Sequence, residues 1–237
     1  ERRRGSVLLE HINPSEMYGN CMTERSYLEC TASSLRGLAA VRARRLLGHS
    51  PALAQAVDSA IERGAERLWA AQRPDGSFPA FWGINFTYAA FHIVKAMRAI
   101  GVAADEPRLL RTGEWLISKQ RFDGGWGEHY TSCLTDRYVE HSESQVVMTS
   151  WAMMALLELE SKNTPQFSAA VDAGVAFLAR MQKPDGSFPQ QAQNGVFFGT
   201  AMLDYRLYKS YFPAWVLARY LSPSLLRSTS ATQSVAI

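Results

Sequence analysis

Three stretches of the chain carry apolar residues at three- and four-residue spacing: 51–72 (PALAQAVDSAIERGAERLWAAQ), 109–120 (LLRTGEWLISKQ) and 167–182 (FSAAVDAGVAFLARMQ). That period puts the apolar side chains on one face of a helix. Each is followed by a second, more aromatic helical pattern, at 83–101 (GINFTYAAFHIVKAMRAIG), 142–160 (SESQVVMTSWAMMALLELE) and 199–221 (GTAMLDYRLYKSYFPAWVLARYL). The unit is a helix pair. The pattern predicts outer, alanine-rich helices over 52–71, 105–120 and 166–182, with the aromatic stretches as inner helices. The run VVMTSWAMMALL within the second inner stretch reads as a buried helix, too short to span a bilayer.

Between the members of each pair the chain repeats a phrase: QRPDGSF at 72–78, QRFDGGW at 120–126 and QKPDGSF at 182–188. Asp-Gly makes the turn, because glycine supplies a positive φ and the aspartate can bond its own backbone. The repeated glutamine sits at a helix end, where its amide can reach the backbone of a neighbouring helix, with the aromatic residue packing against it. Gln72, Gln120, Gln182, Phe78, Trp126 and Phe188 are therefore assigned to structure. The glutamines lie 48 and 62 residues apart, a period that fits helical repeats with insertions better than propeller blades or heptads. Aromatic inner helices behind alanine-rich outer ones predict concentric rings, of which these pairs make only part.

Composition changes this picture little. The chain has 237 residues, 47% hydrophobic, and a formal charge of +3, so it is globular and offers no strong footprint for nucleic acid. The arginine clusters at 2–4 and 42–45 read as solvated surface. Cys21, Cys30 and Cys133 form neither a disulfide framework nor a zinc spacing. No signal peptide is recognisable in ERRRGSVLLEH. The abrupt start within folded sequence reads as a fragment.

Three further stretches carry a resemblance: LLEHINPSEMYGNCMTERSYLECTASSL (8–35), FWGINFTYAAF (81–91) and GVFFGTAMLDYRLYKSYFPAWVLARY (195–220). Together with the repeated Gln-x-x-x-Gly-x-aromatic phrase, they resemble the oxidosqualene cyclases, the family of lanosterol and cycloartenol synthases. The resemblance implies an all-α fold, an α/α toroid incomplete in this chain. Residues 1–221 correspond to the C-terminal part of the catalytic domain and 222–237 to a tail. It further implies (3S)-2,3-oxidosqualene as substrate and acid-triggered epoxide opening, followed by cation-olefin ring closure, hydride and methyl shifts, and deprotonation. No cofactor, metal or nucleic acid is implied. The whole enzyme would sit on one leaflet of a membrane: endoplasmic reticulum or lipid droplet in a eukaryote, the cytoplasmic face in a bacterium. Oligomeric state is left open.

A carbocation in an apolar cavity needs stabilisation without a nucleophile that traps it, and aromatic faces supply about 0.5–2 kcal/mol each. Trp82 and Phe197 stand where the resemblance places two such aromatics; the structural alternative is core packing. In the stretch ECTAS (29–33) the flanks match not the family's acid motif but a later segment, whose cysteine hydrogen-bonds the catalytic aspartate. Cys30 takes that role by resemblance, otherwise being a buried thiol. The acid motif is expected upstream of residue 1, leaving the chain alone inactive. Tyr205, Tyr208 and Cys21 are carried over as substrate-binding candidates. Departures are Phe78 and Phe188 in place of tryptophan, and Phe198 where the family commonly has Asn.

Three other readings stay in view. A squalene-hopene cyclase shares the mechanism, although NPSE and ECTAS favour the oxidosqualene branch. A protein prenyltransferase β subunit shares the toroid and phrases like DGGW, but needs a zinc site with Asp two residues before Cys. Here those positions are Gly19, Leu28 and Thr131, while His129 and Asp136, near Cys133, read as loop residues. A non-catalytic helical scaffold would not need Trp82 and Phe197 to share a cavity.

Overall fold

The computed structural model describes residues 11–13, 26–46, 48, 50–161, 163–197 and 201–221. The elements run α1 (Leu28–Ala43), α2 (Pro51–Trp69), α3 (Phe86–Ala99), α4 (Pro107–Ser118), the short α5 (Thr131–Thr135), α6 (Val146–Leu159), α7 (Pro165–Met181), β1 (Gly195–Phe197), β2 (Ala201–Leu203) and α8 (Tyr208–Leu221). Proline at the first position starts α2, α4 and α7, where its missing N–H removes no helical bond. These three lie within about two residues of the expected outer helices.

The helices form two layers. One runs α1, α3, α6, α8, each packed on the next, and α2, α4 and α7 back it. α6 lies at the centre, in contact with α3, α4, α7 and α8. Nearly every side chain from Val146 to Leu156 is buried, which explains its almost unbroken apolar sequence. The first layer is parallel. Tyr88, Trp151 and Tyr208, from the first half of α3, α6 and α8, meet ring to ring. From the last turns, Lys95 and Arg219 both reach Glu158, at 3.6 and 3.1 Å.

The repeated phrase folds the same way three times. Asp75, Asp123 and Asp185 each accept the backbone N–H two residues on, at 2.9–3.1 Å. Gly76, Gly124 and Gly186 take φ of +91°, +86° and +81°. Gln72 Nε2 donates to Arg108 O of α4 at 2.7 Å, and Gln120 Nε2 to Ala170 O of α7 at 2.8 Å, each also bonding the glycine carbonyl of its own turn. The glutamines do join outer helices, but they do so through carbonyls inside the next helix rather than through unpaired groups at its end. Gln182 Nε2 reaches its own turn, at Gly186 O, 3.0 Å away. Phe78, Trp126 and Phe188 are buried beside these turns.

One expected helix is corrected. Residues 199–221 are not helical throughout: β2 occupies Ala201–Leu203 and pairs antiparallel with β1, Phe197 opposite Ala201, and α8 begins only at Tyr208. The cause is a partner distant in sequence. Ile84 N donates to Asn194 O at 3.1 Å and Val196 N to Trp82 O at 3.3 Å. The segment before α3 thus supplies a further extended edge, and backbone groups paired there cannot serve a helix. The other two inner helices start later than expected, at Phe86 and Val146. α1 is a fourth inner helix that the pairwise pattern did not include. The expected 222–237 tail lies outside the described residues, among which no helix is long and apolar enough to cross a membrane.

Candidate functional site

The extended pairing brings Trp82 and Phe197 together on adjacent backbone runs, their ring centroids 5.6 Å apart and planes tilted by 57°. Behind Trp82, Tyr27 stacks on Phe81 at 4.4 Å and meets Trp82 edge-on at 5.5 Å. An open pocket of about 410 Å³ is lined by Glu29, Cys30 and Ser33 of α1, by Trp82, and by Tyr88 and His92 of α3. Cys30 and Trp82 therefore share a pocket, and Phe197 touches the Trp82 ring.

The aromatic surface continues along the first layer. Tyr88 fits over Gly83, where a Cβ would come within 2.5 Å of its ring, and meets His92 at 4.5 Å and Trp151 at 5.0 Å. Trp151 meets Tyr208 at 6.1 Å, and Tyr208 stacks on Tyr205 at 4.6 Å. Tyr205 lies against Gly195, whose missing side chain leaves room for the ring. Tyr205 and Tyr208 thus join the same wall from the α8 side, Tyr205 being exposed and Tyr208 half-buried. Cys21 lies outside the described residues. His129 bonds Thr131 Oγ1 at 2.8 Å and Asp136 pairs with Arg73 at 2.6 Å, so both serve the loop around α5.

Two carboxyl groups that sequence reasoning missed hold this wall in place. Glu29, 3% exposed, accepts the backbone N–H of Phe81 and of Trp82 at one oxygen, Oε1, both at 2.7 Å. Glu128, fully buried, accepts Phe86 N at 3.1 Å and Thr87 N and Oγ1 at 3.0 Å. It thereby caps α3 from across the fold, at the positive end of the helix. Burial raises both carboxyls above the usual range, against the lowering pull of these N–H donors. The available signal was an acidic residue inside apolar surroundings, as in Tyr27-Leu28-Glu29.

Burial also sets the other titratable groups. His92 is pushed down to about 4 by burial, with Arg36 and Lys95 adding to it, so it is neutral at pH 7. The Tyr88 phenol is pushed up by burial, then by Glu29 and Tyr208. On the α3 side the pocket thus presents neutral imidazole, neutral phenol and the Trp82 ring. Such π faces favour a cation, and they stand beside the Glu29 carboxyl and the Cys30 thiol.

The family description "Squalene-hopene cyclase C-terminal domain" matches residues 26–222. Cycloartenol synthase of Dictyostelium discoideum is 37% identical over 93% of this chain and 30% of its own length. Lanosterol synthase erg7A of Aspergillus fumigatus is 36% identical over 93% of this chain and 28% of its own. For the lanosterol synthase of Homo sapiens the figures are 34%, 93% and 30%. The chain spans less than a third of the length of these curated relatives. Among solved structures, ent-copalyl diphosphate synthase from Streptomyces platensis matches 91% of this chain and 37% of its own with TM-score 0.63 at 19% identity. That likeness speaks for the fold, an arc of an α/α toroid.

Proposed function

Because the chain belongs to the squalene-hopene cyclase C-terminal domain family, we propose that the protein is a triterpene cyclase of the oxidosqualene branch and that this chain forms one wall of its reaction cavity. The observation that carries the reading is the meeting of Trp82 and Phe197 at 5.6 Å beside the pocket lined by Cys30. In this reading the substrate is (3S)-2,3-oxidosqualene. An acid outside the described residues opens the epoxide, and Cys30 steadies the carboxylate left behind. Trp82 and Phe197 offer π faces to the cation that forms, while Tyr88 and neutral His92 line the cavity without capturing it. Tyr205 and Tyr208 contact the hydrocarbon chain. The whole protein sits on one membrane face, which flotation with liposomes would test.

The test of the reaction is incubation of the full-length protein with oxidosqualene and, separately, with squalene, followed by gas chromatography and mass spectrometry. A sterol-type alcohol from oxidosqualene alone is the expected result. Cyclised hydrocarbon from squalene would move the protein to the squalene-hopene branch, and no cyclised product from either would overturn the reading.

A further inference from the structure

We infer that Glu29 is a positioning residue that aims Trp82, and through Trp82 sets the product specificity of the cyclisation proposed above. Trp82 lies outside regular secondary structure, between the first repeat turn and α3, so its indole is only as well placed as its backbone. Two of the ties on that backbone are directional and come from one atom: Glu29 Oε1 accepts Phe81 N and Trp82 N, both at 2.7 Å. A third runs the other way, from Val196 N to Trp82 O at 3.3 Å. The residue is thus held between α1 and β1, the two elements that carry Cys30 and Phe197.

Glu29 is more than an anchor buried in the core. It lines the same pocket as Cys30, Trp82, Tyr88 and His92, and its second oxygen, Oε2, is buried without a hydrogen-bond partner among the described residues. A buried, unpaired carboxyl oxygen is costly, so this side chain is kept at a cost to stability while its other oxygen, at the reach of a glutamate, holds the two amides. Burial raises its pKa against the lowering pull of the two N–H donors it serves.

The inference rests on the cyclase reading, so its test has one arm that needs no activity. Full-length protein is labelled with 5-fluorotryptophan, and the Trp82 line is assigned by its loss in Trp82→Phe. Glu29→Gln keeps an acceptor oxygen for both amides; Glu29→Asp withdraws it by one methylene; Glu29→Ala removes it. The expected outcome is a Trp82 fluorine line that stays in place in Glu29→Gln but shifts or broadens in Glu29→Asp and Glu29→Ala. Product ratios from oxidosqualene should follow the same order, near wild type in Glu29→Gln and changed by about tenfold in the others. If Glu29→Ala does not fold, Glu29→Asp carries the comparison. A Trp82 line unmoved in Glu29→Asp and Glu29→Ala, or product ratios unchanged while only the melting temperature falls, would overturn the inference. A Trp82 line that moves in a protein making no triterpene would instead refute the cyclase reading and leave the positioning role standing.

Discussion

Trp82 and Phe197 touch because their backbones pair: Val196 donates its N–H to Trp82 O at 3.3 Å, and the two rings then meet at 5.6 Å. Each ring is half-buried, so shortening either one opens the pocket without emptying the packed core around α6. Trp82→Leu and Phe197→Leu in the full-length protein should cost little stability but change which products form from oxidosqualene. Loss of about 1.4 kcal/mol of cation stabilisation is tenfold in partitioning between ring closure and early deprotonation. Gas chromatography reads the ratio, and unchanged ratios would return both residues to a packing role.

Gly76 and Gly186 separate conformational strain from close approach. Both require positive φ, but a Cβ on Gly76 would lie 2.5 Å from Arg111 O of α4, whereas Gly186 has nothing nearer than Gln182 Nε2 at 3.9 Å. Gly76→Ala should therefore destabilise by about 1–3 kcal/mol more than Gly186→Ala. Urea titration of the two variants measures the difference; equal losses would mean that φ strain alone matters at these turns.

His92 should make the fold sensitive to acid. Burial holds it near 4 against an ordinary value of 6.5, so between those values the unfolded chain binds a proton that the folded chain refuses. Its contribution is full above pH 6.5 and lost as pH falls toward 4, amounting to up to about 3 kcal/mol. His92→Phe keeps ring contacts with Tyr88 and Phe91 and removes the titrating group. The stability of the variant, measured by urea melts at pH 7 and 5, should fall less than that of the wild type.

Lys95 should act in the opposite pH range. It is 7% exposed, lies 3.6 Å from Glu158 and 4.4 Å from the centre of the Trp215 ring, and is pushed down to about 8, chiefly by burial, with Glu158 opposing. From pH 8 to about 10.5 the unfolded chain holds a proton that the folded chain has released, so this residue's contribution grows more favourable as pH rises. Lys95→Met leaves Glu158 paired with Arg219 at 3.1 Å. The variant's stability relative to wild type should be greatest below pH 8 and shrink by pH 10 in thermal melts.

The parts of the fold legible in the sequence are those whose causes are local. The three turns follow from Asp, Gly and Gln within seven residues, and the outer helices from proline starts and apolar period. The stretch from 199 reads as helix in the sequence, while β2 at Ala201–Leu203 pairs with β1, whose other neighbour is the segment 82–84, far away in the chain. Trp82, Phe197, Cys30, Tyr205 and Tyr208 could be named from a family resemblance, but that the first two are neighbours follows only from this pairing. Glu29 and Glu128 escaped notice for the same reason: the N–H groups they serve belong to residues 41 to 53 positions away. A lone acid in a hydrophobic stretch has a visible cost, but its compensation cannot be seen until the chain has folded.

The parallel run of α1, α3, α6 and α8 gives the inner wall a sense of direction. Each helix carries roughly half a positive charge at its N-terminal end and half a negative one at the other, and here the four ends of like sign are neighbours. The rim bearing Glu29, Cys30, Tyr88 and Tyr208 lies at the positive ends, which favour a negative group such as the Glu29 carboxyl. The opposite rim carries the negative helix ends, and Lys95, Arg98 and Arg219 gather there and offset them. A long molecule lying against the wall would therefore meet two chemically distinct ends, one lined by aromatic rings and backbone N–H groups, the other by cationic side chains bound to helix carbonyls and Glu158.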